Sequence, residues 1–180
     1  MKRIKLSIVV TMLLMLSLGL TGCANQVKRQ SIEDADIVSL SYVAADKLIA
    51  QADDAINEKG IIVAASFVNI NNLDASSSFG RIASQQLSSR FTQKGYKVTE
   101  MLLRSDIYIK ERNGEFMLSR AFKNISAEHN AQAVIIGTYA VASKNVYVTA
   151  KIVRTRDNAV LSSHDYTLPL GPDMKSLVRN

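Results

Sequence analysis

A single cysteine, two histidines and a scatter of serines and carboxylates are the side chains that could carry chemistry in this chain of 180 residues. The cysteine has the most specific setting. Leu20-Thr21-Gly22-Cys23 closes an apolar run, Ile8 to Leu20, that is 13 residues long and uncharged, and Lys2, Arg3 and Lys5 precede it. Crossing a hydrocarbon core of about 30 Å takes about 20 apolar residues, so the run is too short to span a bilayer. It fits the apolar region of a secretory signal, about 7–15 residues. A small residue directly before a lone Cys at this place is how a bacterial lipoprotein signal ends. Residues 1–22 are expected to be removed, leaving Cys23 as the first residue with palmitate-like acyl chains on its sulfur and amino group. Each buried CH₂ contributes about 0.8 kcal/mol, and several chains together hold a protein on its membrane. Ala24 follows the cysteine where an Asp would retain the protein in the inner membrane. By resemblance to known sorting signals, this points to the outer membrane, where the periplasmic face is the expected side.

The other reactive residues lack the company that catalysis needs. His129 falls at the end of a helical pattern and His164 in a strand pattern, and no Gly-x-Ser-x-Gly elbow is present. Either histidine could activate a serine only if the fold brought one to it. The cluster Ser76-Ser77-Ser78 has a plainer use as a helix N-cap. Metal ligation is equally unsupported. Glu128 and His129 are helix neighbours and point apart. His164 and Asp165 are strand neighbours and face opposite sides. Gly80 stands alone inside a helical pattern, so no phosphate-binding loop is present. The expectation is a protein that is not an enzyme and has no cofactor, metal or catalytic residue.

What remains is a set of interaction or structural candidates. Ser77 belongs to the capping cluster. Arg81 sits early in a helix, against the dipole. Arg120 does the same in a later helix, and either pairs with Glu115 or is a solvated charge. Gly137 interrupts an apolar strand, which implies a close backbone approach or a bulge. With Tyr139 it marks either a packing contact or a binding crevice.

Composition bounds the partners. The formal charge of +6 is partly a signal-peptide effect. The signal holds three of the 22 Lys and Arg residues, which leaves 19 against 16 acidic residues, or +3. No basic stripe interleaves with aromatics, so nucleic acid is not an expected partner. The 157 residues beyond Cys23 (180 minus 23) suffice for one domain with a buried core. With no further cysteine, packing alone must hold it.

The elements follow from periodicity. Residues 23–35 are polar and read as a lipidated flexible tether. Ile37, Leu40, Ala44, Leu48, Ala52 and Ile56 predict an amphipathic helix over 36–57, capped by Asp34 or Asp36. Ile61–Val68 reads as one buried strand. Phe79, Ile82, Ala83, Leu87 and Phe91 predict a second helix, ended by Gly95. A strand at 96–101 completes a crossover unit. Asn113-Gly114 is a tight-turn signal, so residues 104–116 read as a short hairpin or an extended excursion, and residues 118–129 as a third helix. Ala133–Tyr139, Val146–Val153 and Val160–Leu168 predict an antiparallel three-strand meander; its last strand, with Val160, Leu161 and Tyr166, or else the turn region near Asn113, is the expected assembly surface. The fold class is therefore α/β (α+β): a mixed sheet with three helices packed on it, as a single domain over 36–170, followed by a polar, frayed tail at 171–180.

Several short motifs, in order, resemble one family. Ser66-Phe67-Val68-Asn69-Ile70-Asn71-Asn72-Leu73 and Ser77-Ser78-Phe79-Gly80-Arg81 are similar to segments of the FlgO family of outer-membrane lipoproteins. Gly95-Tyr96-Lys97-Val98, Gly114-Glu115-Phe116-Met117-Leu118-Ser119-Arg120 and Gly137-Thr138-Tyr139 continue the similarity, which runs from about Val38 to Leu168. The resemblance implies a role in the polar, often sheathed, flagella of Vibrio-like bacteria. It also implies other flagellar outer-membrane or basal-body partners, such as FlgP, and a possible homo-oligomer. It brings no catalytic residues. Of the functional positions only Cys23 carries over with a defined role.

Overall fold

The computed structural model of the chain describes residues 32–73, 76–101, 108–110, 116–118 and 129–179. Cys23, the Asn113-Gly114 turn, Glu115, Arg120 and the stretch between Leu118 and His129 expected as a helix lie outside the described residues.

Helix α1 spans Ile37–Ala52 and helix α2 spans Ser78–Gln93. Asp36 caps α1: one carboxylate oxygen accepts the Ser39 N–H at 3.0 Å and the other the Ser39 hydroxyl at 2.6 Å. The apolar face ends α1 earlier than its periodicity implies. Residues 53–55 turn, and Ile56 is buried beyond the helix. The end of α2 satisfies its last carbonyls in a Schellman arrangement. Gly95, at φ +95°, donates to the Thr92 carbonyl, and Tyr96 donates to that of Phe91. The rings of Phe91 and Tyr96, 5.7 Å apart, supply the accompanying apolar contact. The two helices pack together through small residues, Ser41, Ala44 and Ala45 on α1, and Ala83, Ser84 and Ser88 on α2. On the outer side, Arg90 grips Asp46 through two hydrogen bonds of 3.0 and 2.8 Å.

The strands are β1 (Ile61–Ala65), β2 (Val68–Asn69), β3 (Lys97–Met101), β4 (Tyr108–Lys110), β5 (Phe116–Leu118), β6 (Ala131–Val141), β7 (Asn145–Arg154) and β8 (Val160–Pro169). The main sheet runs β3-β1-β6-β7-β8, with β2 continuing on β6 beyond β1. β1 pairs in parallel with β3 and β6, and β2 pairs in parallel with β6. β6, β7 and β8 form the antiparallel meander. β4 and β5 pair antiparallel in a small separate ribbon, consistent with the expected hairpin. β1, flanked by parallel partners on both sides, is continuously apolar, as burial on both faces requires, whereas the edge strand β3 is mixed and β7 alternates. One face carries the main core: Ile62, Ala64, Ala133, Ile135, Val148, Ala150 and Ile152 pack against Leu48, Phe79, Leu87 and Phe91. Val63, Ala65, Val68, Val134 and Val153 form a smaller cluster on the opposite face.

Several expectations change. The run 61–68 is two strands, interrupted at Ser66-Phe67 where the chain turns Phe67 inward. The C-terminal stretch is not frayed: Pro172–Leu177 form helix α3, with Met174 only 1% exposed. Asp34 accepts the N–H groups of Asp173 and Met174, both at 2.9 Å, and so supplies the cap that Gly171 cannot. Asp34 thereby joins the folded unit from within the segment read as tether. The edge strand β8 is also less open than its pattern suggests. Val160 is 55% exposed, but Leu161 and Tyr166 pack against the main core, and the Gln51 amide accepts the Ser163 N–H at 3.2 Å.

Candidate functional site

The motif residues converge where β1 gives way to β2. A strand running without interruption from Ile61 to Asn69 would give Ser66 and Phe67 ladder bonds. Instead the Phe67 N–H donates to the Gly80 carbonyl at 2.9 Å, and the Phe67 carbonyl accepts the Ser76 hydroxyl at 2.9 Å. The first turn of α2 thus closes onto the strand break. A Cβ on Gly80 would collide with the Phe67 carbonyl, and one on Gly137 would collide with the Phe67 ring. Both glycines are therefore clearances for one residue. Gly137 pairs with Ala150 in regular register, so its role is close approach and not a bulge.

Ser77 sits at the centre as the N-cap of α2. Its hydroxyl oxygen accepts the Gly80 N–H at 3.3 Å and the Tyr139 hydroxyl at 2.7 Å. Both side chains are buried. The Tyr139 ring meets Phe79 edge-on, at 90° and 5.1 Å. This geometry places the positive ring edge against the negative face, worth about 0.5–1.5 kcal/mol beyond burial. Arg81 lies outside the knot and is exposed. Its guanidinium donates to the Ser76 carbonyl at 2.8 Å and the Ser78 hydroxyl at 3.1 Å, tying down the loop before the helix. That contact explains an arginine against the dipole.

The fold thus brings Ser77, Gly137 and Tyr139 together and sets Arg81 beside them. The arrangement is a buried lock with its polar atoms satisfied, and no nucleophile is exposed. Sequence reading missed its centre, Phe67, and the Ser76 hydroxyl. The available signal was Ser66, the one polar residue in the apolar run. It also missed Asp34 and the Asp46–Arg90 clamp, because contacts between residues so far apart leave no local pattern.

The remaining candidates stay apart. His129 lies exposed in a turn, and His164 on β8 stacks on Tyr166 at 6.1 Å. Among the described residues no hydrogen bond joins either histidine to a serine. No group of three or more His, Cys, Asp or Glu stands close enough to hold a metal ion among the described residues. The shifted groups are structural. The hydrogen bond from Arg90 holds Asp46 below the usual carboxylate range, and that from Arg154 holds Asp157 at about 2. Burial pushes the Tyr166 phenol up to about 12.

Residues 42–173 match the model of the FlgO protein family, most of the chain, and the chain belongs to that family. No curated protein sequence is significantly similar to it. Among solved structures, the C-terminal domain of LpoB from Salmonella enterica superposes with a TM-score of 0.51 at 11% identity, covering 74% of this chain and 98% of that one. The corresponding Escherichia coli domain gives 0.50 at 10% identity, with the same coverages. At such identities the likeness is one of fold.

Proposed function

We propose that this protein is an outer-membrane-anchored lipoprotein with a structural or interaction role in flagellar assembly, stability or motility, and that it is not an enzyme. The observation that carries the reading is the family match over residues 42–173, behind a signal ending in Gly22-Cys23. The lock at Phe67 supports it: the family's motif residues, where described, spend their polar groups on holding the fold. Lipid on Cys23 keeps the domain at the periplasmic face. Its partners are other flagellar outer-membrane or basal-body proteins such as FlgP, or further copies of itself.

Deletion of the gene is expected to reduce swimming and disturb the outer-membrane rings seen by electron cryotomography. Normal motility and normal rings would overturn the flagellar role. Cys23→Ser is expected to leave the signal uncleaved and the protein poorly retained in outer-membrane fractions.

The fold recurs at 10–11% identity in the LpoB domains, so the architecture alone does not fix a pathway. That leaves a second reading, in which the anchored domain binds and regulates or assembles another envelope machine, such as a peptidoglycan synthase or a secretion ring. Crosslinking in intact cells separates the two by the partners it captures.

A further inference from the structure

The sheet face opposite α1 and α2 carries an open hollow over the meander. Alternation along β7 and β8 sends Val148, Ala150 and Leu168 into the core and Tyr147, Thr149, Asp165 and Thr167 to the other side. Tyr147 lies directly opposite Thr167, and Thr149 opposite Asp165. Together they line an open hollow of about 400 Å³. Tyr147 is 51% exposed although its strand lies between two others. The Thr149 hydroxyl donates to one Asp165 oxygen at 2.6 Å, which fixes the carboxylate while its second oxygen keeps its acceptor capacity. Among the described residues no cation stands within ion-pair distance of Asp165, so it is not half of a structural salt bridge.

We propose that this hollow is a binding site for an N-acetylated saccharide, with Tyr147 as the stacking platform and Asp165 as the acceptor for a ring hydroxyl and the acetamido N–H beside it. An N-acetylated pyranose ring has an apolar face that covers an exposed phenol ring, and at its rim an acetamido N–H beside the C3 hydroxyl, two donors that a carboxylate takes in a charge-assisted pair. Thr149 and Thr167 supply further hydroxyls at the same level. A few placed polar groups around an aromatic wall are what orient a small ligand. An aromatic beside a carboxylate would also suit an ammonium or guanidinium group. Lys151, one residue pair further along the same face, opposes a cation and leaves a neutral ligand favoured. If the protein faces the periplasm, as proposed above, the accessible polymer of this class is the N-acetylated glycan of the cell wall. The soluble-ligand test below does not depend on that location.

The lipidated protein in detergent is titrated with fluorescent chitotetraose, followed by anisotropy, at low and high NaCl. The expected result is saturable binding that salt changes little. Tyr147→Ala should weaken it by about tenfold, which is about 1.4 kcal/mol. Asp165→Asn should weaken it severalfold, and Thr149→Val should give a smaller loss by freeing the carboxylate. Tyr147 is exposed, so its variant should keep the parent's circular dichroism. Absence of binding, or equal binding by Tyr147→Ala, overturns the site. So does salt-sensitive capture of a lysine-rich peptide in place of the oligosaccharide. Loss of chitotetraose binding with swimming unchanged would separate this site from the flagellar role.

Discussion

Gly137→Ala gives the sharpest test of the Phe67 lock. The added Cβ would overlap the Phe67 ring, which cannot retreat: its own backbone is tied to Gly80 and Ser76 on either side. Overpacking of this kind costs about 1–3 kcal/mol and occasionally more. Replacing a strand glycine also removes unfolded-state freedom, which returns about 0.5–1 kcal/mol. The net expectation is destabilisation by about 1–2 kcal/mol, at the upper end if the strand resists. Phe67→Leu alone leaves a gap, at less than the roughly 3–5 kcal/mol of a full Phe→Ala truncation. In the double variant the leucine vacates the space that the new methyl needs. The two changes should then fall short of additivity by at least about 1 kcal/mol. Urea unfolding of the protein and its three variants, followed by far-UV circular dichroism, reads this from the midpoints at unchanged slope. Additive effects, or a neutral Gly137→Ala, would refute the claim that the glycine exists to admit Phe67.

Ser77→Ala should cost about 1–3 kcal/mol, because it removes the cap of α2 and strands the buried Tyr139 hydroxyl; Tyr139→Phe in the same background should recover part of it. Asp34→Ala should leave the bulk of the fold intact but release α3, with hydrogen exchange of the Asp173 and Met174 amides rising well ahead of those in β6. Arg154 depresses the Asp157 carboxyl, so that pair's contribution is complete above the ordinary carboxylate range near pH 4 and is lost as pH falls toward 2. A carbon-detected titration should find Asp157 raised toward its ordinary value in Arg154→Met but still below it, because the Ala159 N–H and Arg156 continue to favour the carboxylate. The Asp46–Arg90 clamp has the same sign, but its partners are partly exposed. Asp46→Asn should therefore cost no more than about 1 kcal/mol, with the loss shrinking at high salt.

By itself the sequence determined whatever depends on local pattern. Signal anatomy at Cys23 is a matter of charge, apolar length and one small residue. Helices α1 and α2 follow from spacings of three and four. Gly95 had to end α2, because the chain there needs a positive φ. The meander followed from alternation along β7 and turn residues on either side of β8. Order of motifs sufficed for the family. Only the tertiary structure decided what those motif residues do. Phe67 is one more apolar residue in an apolar run until Gly80 and Gly137 arrive from distant segments to clear a place for it. Asp34 looks like tether until α3 folds back with unpaired N–H groups. Tyr147 and Asp165 become neighbours only through the pairing of β7 with β8. In each case the decisive contact joins residues that are remote along the chain, and only the pairing of strands and the packing of helices brings them within reach, which no local spacing encodes.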